Sequence, residues 1–192
     1  MSFPNEINTD QTYNRIICQG EDLTDKEFTN CKFIKCDFSG SDFSNALLNE
    51  CTFKDCNLSN ISVKGTSFRG IIFENTKLLG IQFGEIDTFL LVWGFIKCRL
   101  ELCTFVGLKI PRTPFKECSI EETDFESSDL SKSSFADCDL HASSFRNCNL
   151  EGANFIGAKS YYIDPTQNKI KKARFLQPEV LALLHGFDIV IE

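Results

Sequence analysis

Thr123-Asp124-Phe125-Glu126-Ser127, Ser128-Asp129-Leu130-Ser131-Lys132, Ser133-Ser134-Phe135-Ala136-Asp137, Cys138-Asp139-Leu140-His141-Ala142, Ser143-Ser144-Phe145-Arg146-Asn147 and Cys148-Asn149-Leu150-Glu151-Gly152 follow one another without a gap. Every unit of five opens on a small residue and carries Phe or Leu at its third position. Extended backwards, the third position reads Leu90, Phe95, Leu100, Phe105, Ile110, Phe115 and Ile120; forwards it adds Phe155, giving 14 units. A second series, displaced by two residues, occupies Leu23, Phe28, Phe33, Phe38, Phe43, Leu48, Phe53, Leu58, Val63, Phe68, Phe73, Leu78 and Phe83. Only 42% of the chain is apolar, so 27 apolar hits with one slip are not chance. The first position of the unit is restricted as well, and nine of the ten cysteines stand in it; Cys18 does not.

A period of five fits neither a helix nor an alternating strand. It fits a chain that turns a corner every five residues, with two side chains inward and three outward. Four units then close a square coil of 20 residues, and coils stack at about 4.8 Å. The 20-residue period is visible separately. Phe95, Phe115, Phe135 and Phe155 are expected on one face, and Phe105, Phe125 and Phe145 on another. Leu90, Ile110, Leu130 and Leu150 form a third ladder, and Leu100, Ile120 and Leu140 a fourth. Each repeat buries its face only against the next, so like neighbours are rewarded. Twenty-seven units make nearly seven coils, a rod of about 30 Å.

The cysteines read as small, weakly polar core residues. Their five-residue spacing is the repeat itself and not a zinc signature. No phosphate-binding loop, dinucleotide fingerprint or metal spacing occurs. His141 and His185 stand without a companion nucleophile or ligand motif. The expectation is a protein that is not an enzyme and uses no cofactor or metal. The net charge of -7 makes free nucleic acid and anionic membranes poor partners and a basic surface a better one. No apolar run approaches the roughly 20 residues that span a bilayer. The first residues show no basic-then-apolar signal, which points to the cytoplasm.

Charge is where the outward positions differ. Glu117, Glu121, Glu122, Asp124, Glu126, Asp129, Asp137 and Asp139 face Lys132 alone, and these eight are the candidate acidic partner-binding surface. Residues 159–174 carry five bases and one acid. The slip near 84–89 reads as a bulge plugged by Trp93. After Ala158 the chain changes character: 169–175 is basic and strand-like, 178–184 reads as a short helix with Pro178 in its first turn and Gly186 past its end, and 187–191 as a strand. An open solenoid end needs a cover. The expected organisation is an N-terminal cap over 1–20, a solenoid over 21–157 and a C-terminal capping and dimerisation module over 158–192. Val180, Leu181, Leu183, Leu184, Phe187, Ile189, Val190 and Ile191 are the candidate dimer interface.

Ser41-Asp42-Phe43-Ser44-Asn45 and Ala153-Asn154-Phe155-Ile156-Gly157 resemble the A-(D/N)-L-x-x consensus of the pentapeptide-repeat family, in which Phe is allowed at the centre. The resemblance covers roughly residues 21–157. It implies an all-β, right-handed quadrilateral parallel β-helix, here of about seven coils with a short C-terminal helix and strand. The tail from Phe175 to Ile191 resembles that of the quinolone-resistance (Qnr) and microcin B immunity subgroup. That likeness implies a head-to-head homodimer through the C-terminus and a DNA-mimicking rod that binds DNA gyrase or topoisomerase IV, protecting it from quinolone-type drugs or a peptide toxin. A non-catalytic interaction scaffold with another partner is the alternative.

Overall fold

The computed structural model describes residues 3, 5–187, 189 and 190. The chain winds as a parallel β-solenoid of about eight turns, each turn four short faces joined by tight corners. The first face carries Ile7–Thr9, Glu27–Thr29, Leu47–Asn49 and Ser67–Arg69. The second carries Thr12–Asn14, Lys32–Ile34, Thr52–Lys54, Ile71–Glu74, Trp93–Ile96 and Phe115–Lys116. Lys77–Leu79, Arg99–Glu101 and Ser119–Glu121 lie on the third, and Ser144–Phe145 pairs with Tyr162–Ile163 on the fourth. Elsewhere single parallel bridges such as Asp22↔Asp42 and Asp129↔Asn149 continue the ladders.

Three features of the five-residue unit make this shape. The central residue and the one two places before it point inward, where Phe125, Leu130, Phe135 and Cys138 are fully buried. The residue just before the centre is often Asp or Asn, and its side-chain oxygen accepts the backbone N–H two places on. Asp42 takes Ser44 N at 2.8 Å, Asp129 takes Ser131 N at 2.9 Å, and Asn57 takes Ser59 N at 3.1 Å. These are Asx turns, which bend the backbone without help from its neighbours. Two residues after the centre, φ is positive in nearly every unit, between about 47° and 76°. That conformation closes the corner, and it is why Gly, Asn and Asp recur there.

Stacking follows from the pairing. Because Phe33↔Phe53, Phe53↔Phe73, Phe73↔Phe95 and Phe95↔Phe115 are in register, the second face builds one column of rings. It runs through Tyr13, Phe33, Phe53, Phe73, Phe95, Phe115, Phe135, Phe155 and Phe175, with centroids 4.8–5.5 Å apart and planes within 15°. The coil spacing sets that distance, and it lies in the range favourable to offset rings. The column begins and ends outside 21–157: residues 7–18 already form rungs, with Phe3 buried over them, and Ile163 and Phe175 extend the far end. The rod of about eight turns, close to the seven coils expected, is roughly 40 Å long at strand spacing.

At Ser67↔Asp87 the pairing interval is still 20 residues, and at Trp93↔Ile71 it is 22. The two extra residues thus enter between Asp87 and Trp93, on the C-terminal side of the expected slip. One expectation is corrected here. Leu90 does not begin the third ladder; it is 63% exposed with φ 56°, in the outward corner position of its unit. Trp93 takes the interior space instead, buried against Phe68, Phe83 and Phe105. Its indole N–H donates to Phe68 O at 3.0 Å, so the large ring is placed without an unpaired donor.

At the far end, Phe145↔Ile163 shortens one interval to 18 residues, and Asn149↔Lys169 restores 20. Buried Asn168 manages the irregularity. It accepts Cys148 N at 2.9 Å and donates to Phe145 O at 2.8 Å and Asp164 O at 2.9 Å. The helix expected over 178–184 is a 3-10 segment, Glu179–Phe187, with Ala182 and Leu183 partly buried against the last coil. Of the expected final strand, Phe187 ends that helix and Ile189 and Val190 are in no strand. Ile191 lies outside the described residues.

Candidate functional site

The interior of the described residues is lined by apolar side chains and small polar ones, thiols foremost. All ten cysteines are buried thiols, and five of them (Cys36, Cys56, Cys98, Cys118 and Cys138) line one corner. Burial pushes the Cys51 thiol up to about 12 and that of Cys103 up to about 11. Their sulfurs lean on backbone carbonyls, as Cys138 does on Phe115 O at 3.3 Å. Among the described residues no group of three or more His, Cys, Asp and Glu side chains could hold a metal ion. His141 is an exposed outward residue of the third face, and the His185 ring stacks on Tyr162 at 6.4 Å.

On the outer surface the coil divides the eight acidic residues. Glu121, Glu122 and Asp124 follow the chain round one corner, from the third face to the fourth, with Glu126 next to them. Glu121, Glu122 and Asp124 have no ion pair among the described residues; Glu126 meets Arg146 at 2.8 Å. Glu117 and Asp137 occupy the corner between the second and third faces, where Glu117 is drawn toward Lys97 at 3.5 Å and Lys116 at 3.6 Å. Asp139 joins Lys159 at 3.2 Å on the third face. Partial burial pushes its carboxyl up, but hydrogen bonds from Ser160 and Lys159 outweigh that and hold it below its ordinary value. Asp129 is apart from all of them, on the first face in line with Lys109 and Lys169. The residues brought together are thus Glu121, Glu122, Asp124 and Glu126.

A second surface had only a partial signal in the sequence. Arg112, Lys132 and Lys172 hold the same outward turn position in different coils, at the corner between the first and second faces, diagonally opposite the acidic corner. The cluster of bases in 159–174 hinted at it; reading every twentieth residue from Arg112 finds the column.

At the C-terminal end, Leu181, Phe187, Ile189 and Val190 are exposed while Val180, Leu183 and Leu184 are half-buried, and no residue of the 3-10 helix is fully buried. Those interface residues named from the sequence that are described therefore form an apolar end that the chain itself covers only in part. No helix among the described residues is long and apolar enough to cross a membrane.

The family model of the pentapeptide repeat region matches residues 26–91 and 89–155. No curated protein matches the chain. Among solved structures, a trypsin-treated variant of QnrB1, a plasmid-mediated fluoroquinolone resistance protein, is 21% identical, covers 97% of both chains and superposes with a TM-score of 0.58. HetL, a pentapeptide repeat protein involved in heterocyst differentiation regulation from the cyanobacterium Nostoc, is 15% identical over 86% of both chains with a TM-score of 0.36.

Proposed function

The chain belongs to the pentapeptide-repeat family, and from that premise we propose that it acts by binding a protein partner through the acidic corner of its rod. The partner we name is DNA gyrase or topoisomerase IV, shielded from a quinolone-type drug or a peptide toxin. The observation that carries the reading is the corner of Glu121, Glu122 and Asp124, three outward acids without an ion pair among the described residues. Such a corner is favourable for a groove built to hold phosphates. Duplex DNA carries about one charge per 1.7 Å, far more than this rod, so the mimicry is of shape and of one patch. The exposed apolar end supports a homodimer through the C-terminus, which would roughly double the rod.

The test is gyrase supercoiling across a protein concentration series, with and without a quinolone. Inhibition at high protein, or rescue from the drug, is expected, and Glu121→Lys with Glu122→Lys should weaken either by at least tenfold. A rod without effect on gyrase and topoisomerase IV sinks the reading and leaves a scaffold with another partner.

A further inference from the structure

The corner between the first and second faces carries two surface features that net charge conceals. At the two-residue insertion, Phe89, Leu90 and Val92 project with 60%, 63% and 68% of their surface exposed. Directly along the same corner come Arg112, Lys132 and Lys172, with Lys171 and Arg174 flanking the last. None of these five cations has an ion pair among the described residues, and Glu151 is the acid among them. Gly152 leaves a notch of about 250 Å³ between Lys132 and Lys172, walled also by Glu151 and Lys171.

We propose that this edge seats the rod on an anionic phospholipid bilayer, with Phe89, Leu90 and Val92 entering the interface and the row of cations meeting lipid phosphates. Weak apolar insertion joined to a polybasic patch is the two-signal pattern of reversible membrane attachment. The acidic corner lies diagonally across a coil whose side, three extended residues, is roughly 10 Å. A Debye length of about 8 Å screens it from the membrane, so a net charge of -7 does not forbid the contact. The notch has room for a headgroup phosphate. A nucleic acid backbone would use the cations but leave three apolar side chains in water, which is why the bilayer is favoured over it.

The full chain should co-sediment at about 0.1 M salt with vesicles of phosphatidylserine and phosphatidylcholine, and not with phosphatidylcholine alone. Two variants separate the signals: Leu90→Asp, and Lys132→Glu with Lys172→Glu. Each should lower vesicle affinity more than tenfold. Both are built to fold, because Asp25 and Asp55 and Glu117 and Glu122 already occupy the same left-handed corner position elsewhere. Vesicle binding unchanged in both variants overturns the proposal. So does a wild-type chain that ignores the anionic vesicles, or one that binds a duplex oligonucleotide in their place. No topoisomerase is present, so this result is independent of the gyrase assay.

Discussion

Phe135 shows what one residue contributes. It is fully buried between Phe115 at 4.9 Å and Phe155 at 5.0 Å, and meets Phe125 and Phe145 edge-on. Its ring cannot be replaced by sliding neighbours, since each is pinned by its own strand register. Phe135→Ala should therefore cost about 3–5 kcal/mol in denaturant unfolding, the full price of a large-to-small core change. A loss below about 1 kcal/mol would contradict the stacked column. The cysteines show the complementary case: a small slot accepts Cys, Ser, Thr or Ala, as Cys118, Ser133, Thr123 and Ala153 demonstrate, all buried.

At the scale of the element, the five-residue corner depends on its Asx turn. The Asp42 carboxyl accepts Ser44 Oγ and Ser44 N, and these bonds hold it below its ordinary value of 3.8. A depressed folded pKa contributes stability that is present above the unfolded pKa and is lost as pH falls through the folded one. Asp42→Ala should therefore be less stable than the parent at pH 7, and the gap should narrow as the pH falls below the ordinary value of 3.8. Asp42→Asn should keep the turn, as Asn57 does with Ser59, and lose the pH dependence of that corner. Chemical denaturation at neutral and at acid pH decides it; a gap independent of pH would remove the carboxylate from the account.

On the scale of the whole molecule, the rod is a nearest-neighbour stack whose weak points are its seam and its ends. Trp93 bridges the seam by touching rings on both sides of the insertion. The C-terminal end is less complete, with Leu181 44% and Phe187 47% exposed. If a second copy covers it, sedimentation of the wild type should give twice the 21.8 kDa chain mass, and Leu181→Asp with Phe187→Asp should return the monomer. A monomeric wild type would leave the apolar end without the occupant proposed for it. The transverse separation of charge also belongs to this scale: acids at one corner, and at the opposite one cations without an ion pair among the described residues.

The sequence by itself determined the coil. Its period of five, the Phe and Leu centres and the Cys, Ser and Thr slots each point to one local geometry, and stacking repeats that geometry without needing distant information. Phe105, Phe125 and Phe145 could be assigned to a common face by counting alone. The tertiary structure decided what counting could not. Leu90 looked like a centre because it keeps the spacing, but the two added residues let a larger indole compete for the same volume, and burial favoured Trp93. Likewise Asp129 sits amid acids along the chain yet stands between Lys109 and Asn149 in space. A solenoid brings residues 20 apart within one strand spacing and sends residues 10 apart to opposite faces, so its surface charge is set by the winding.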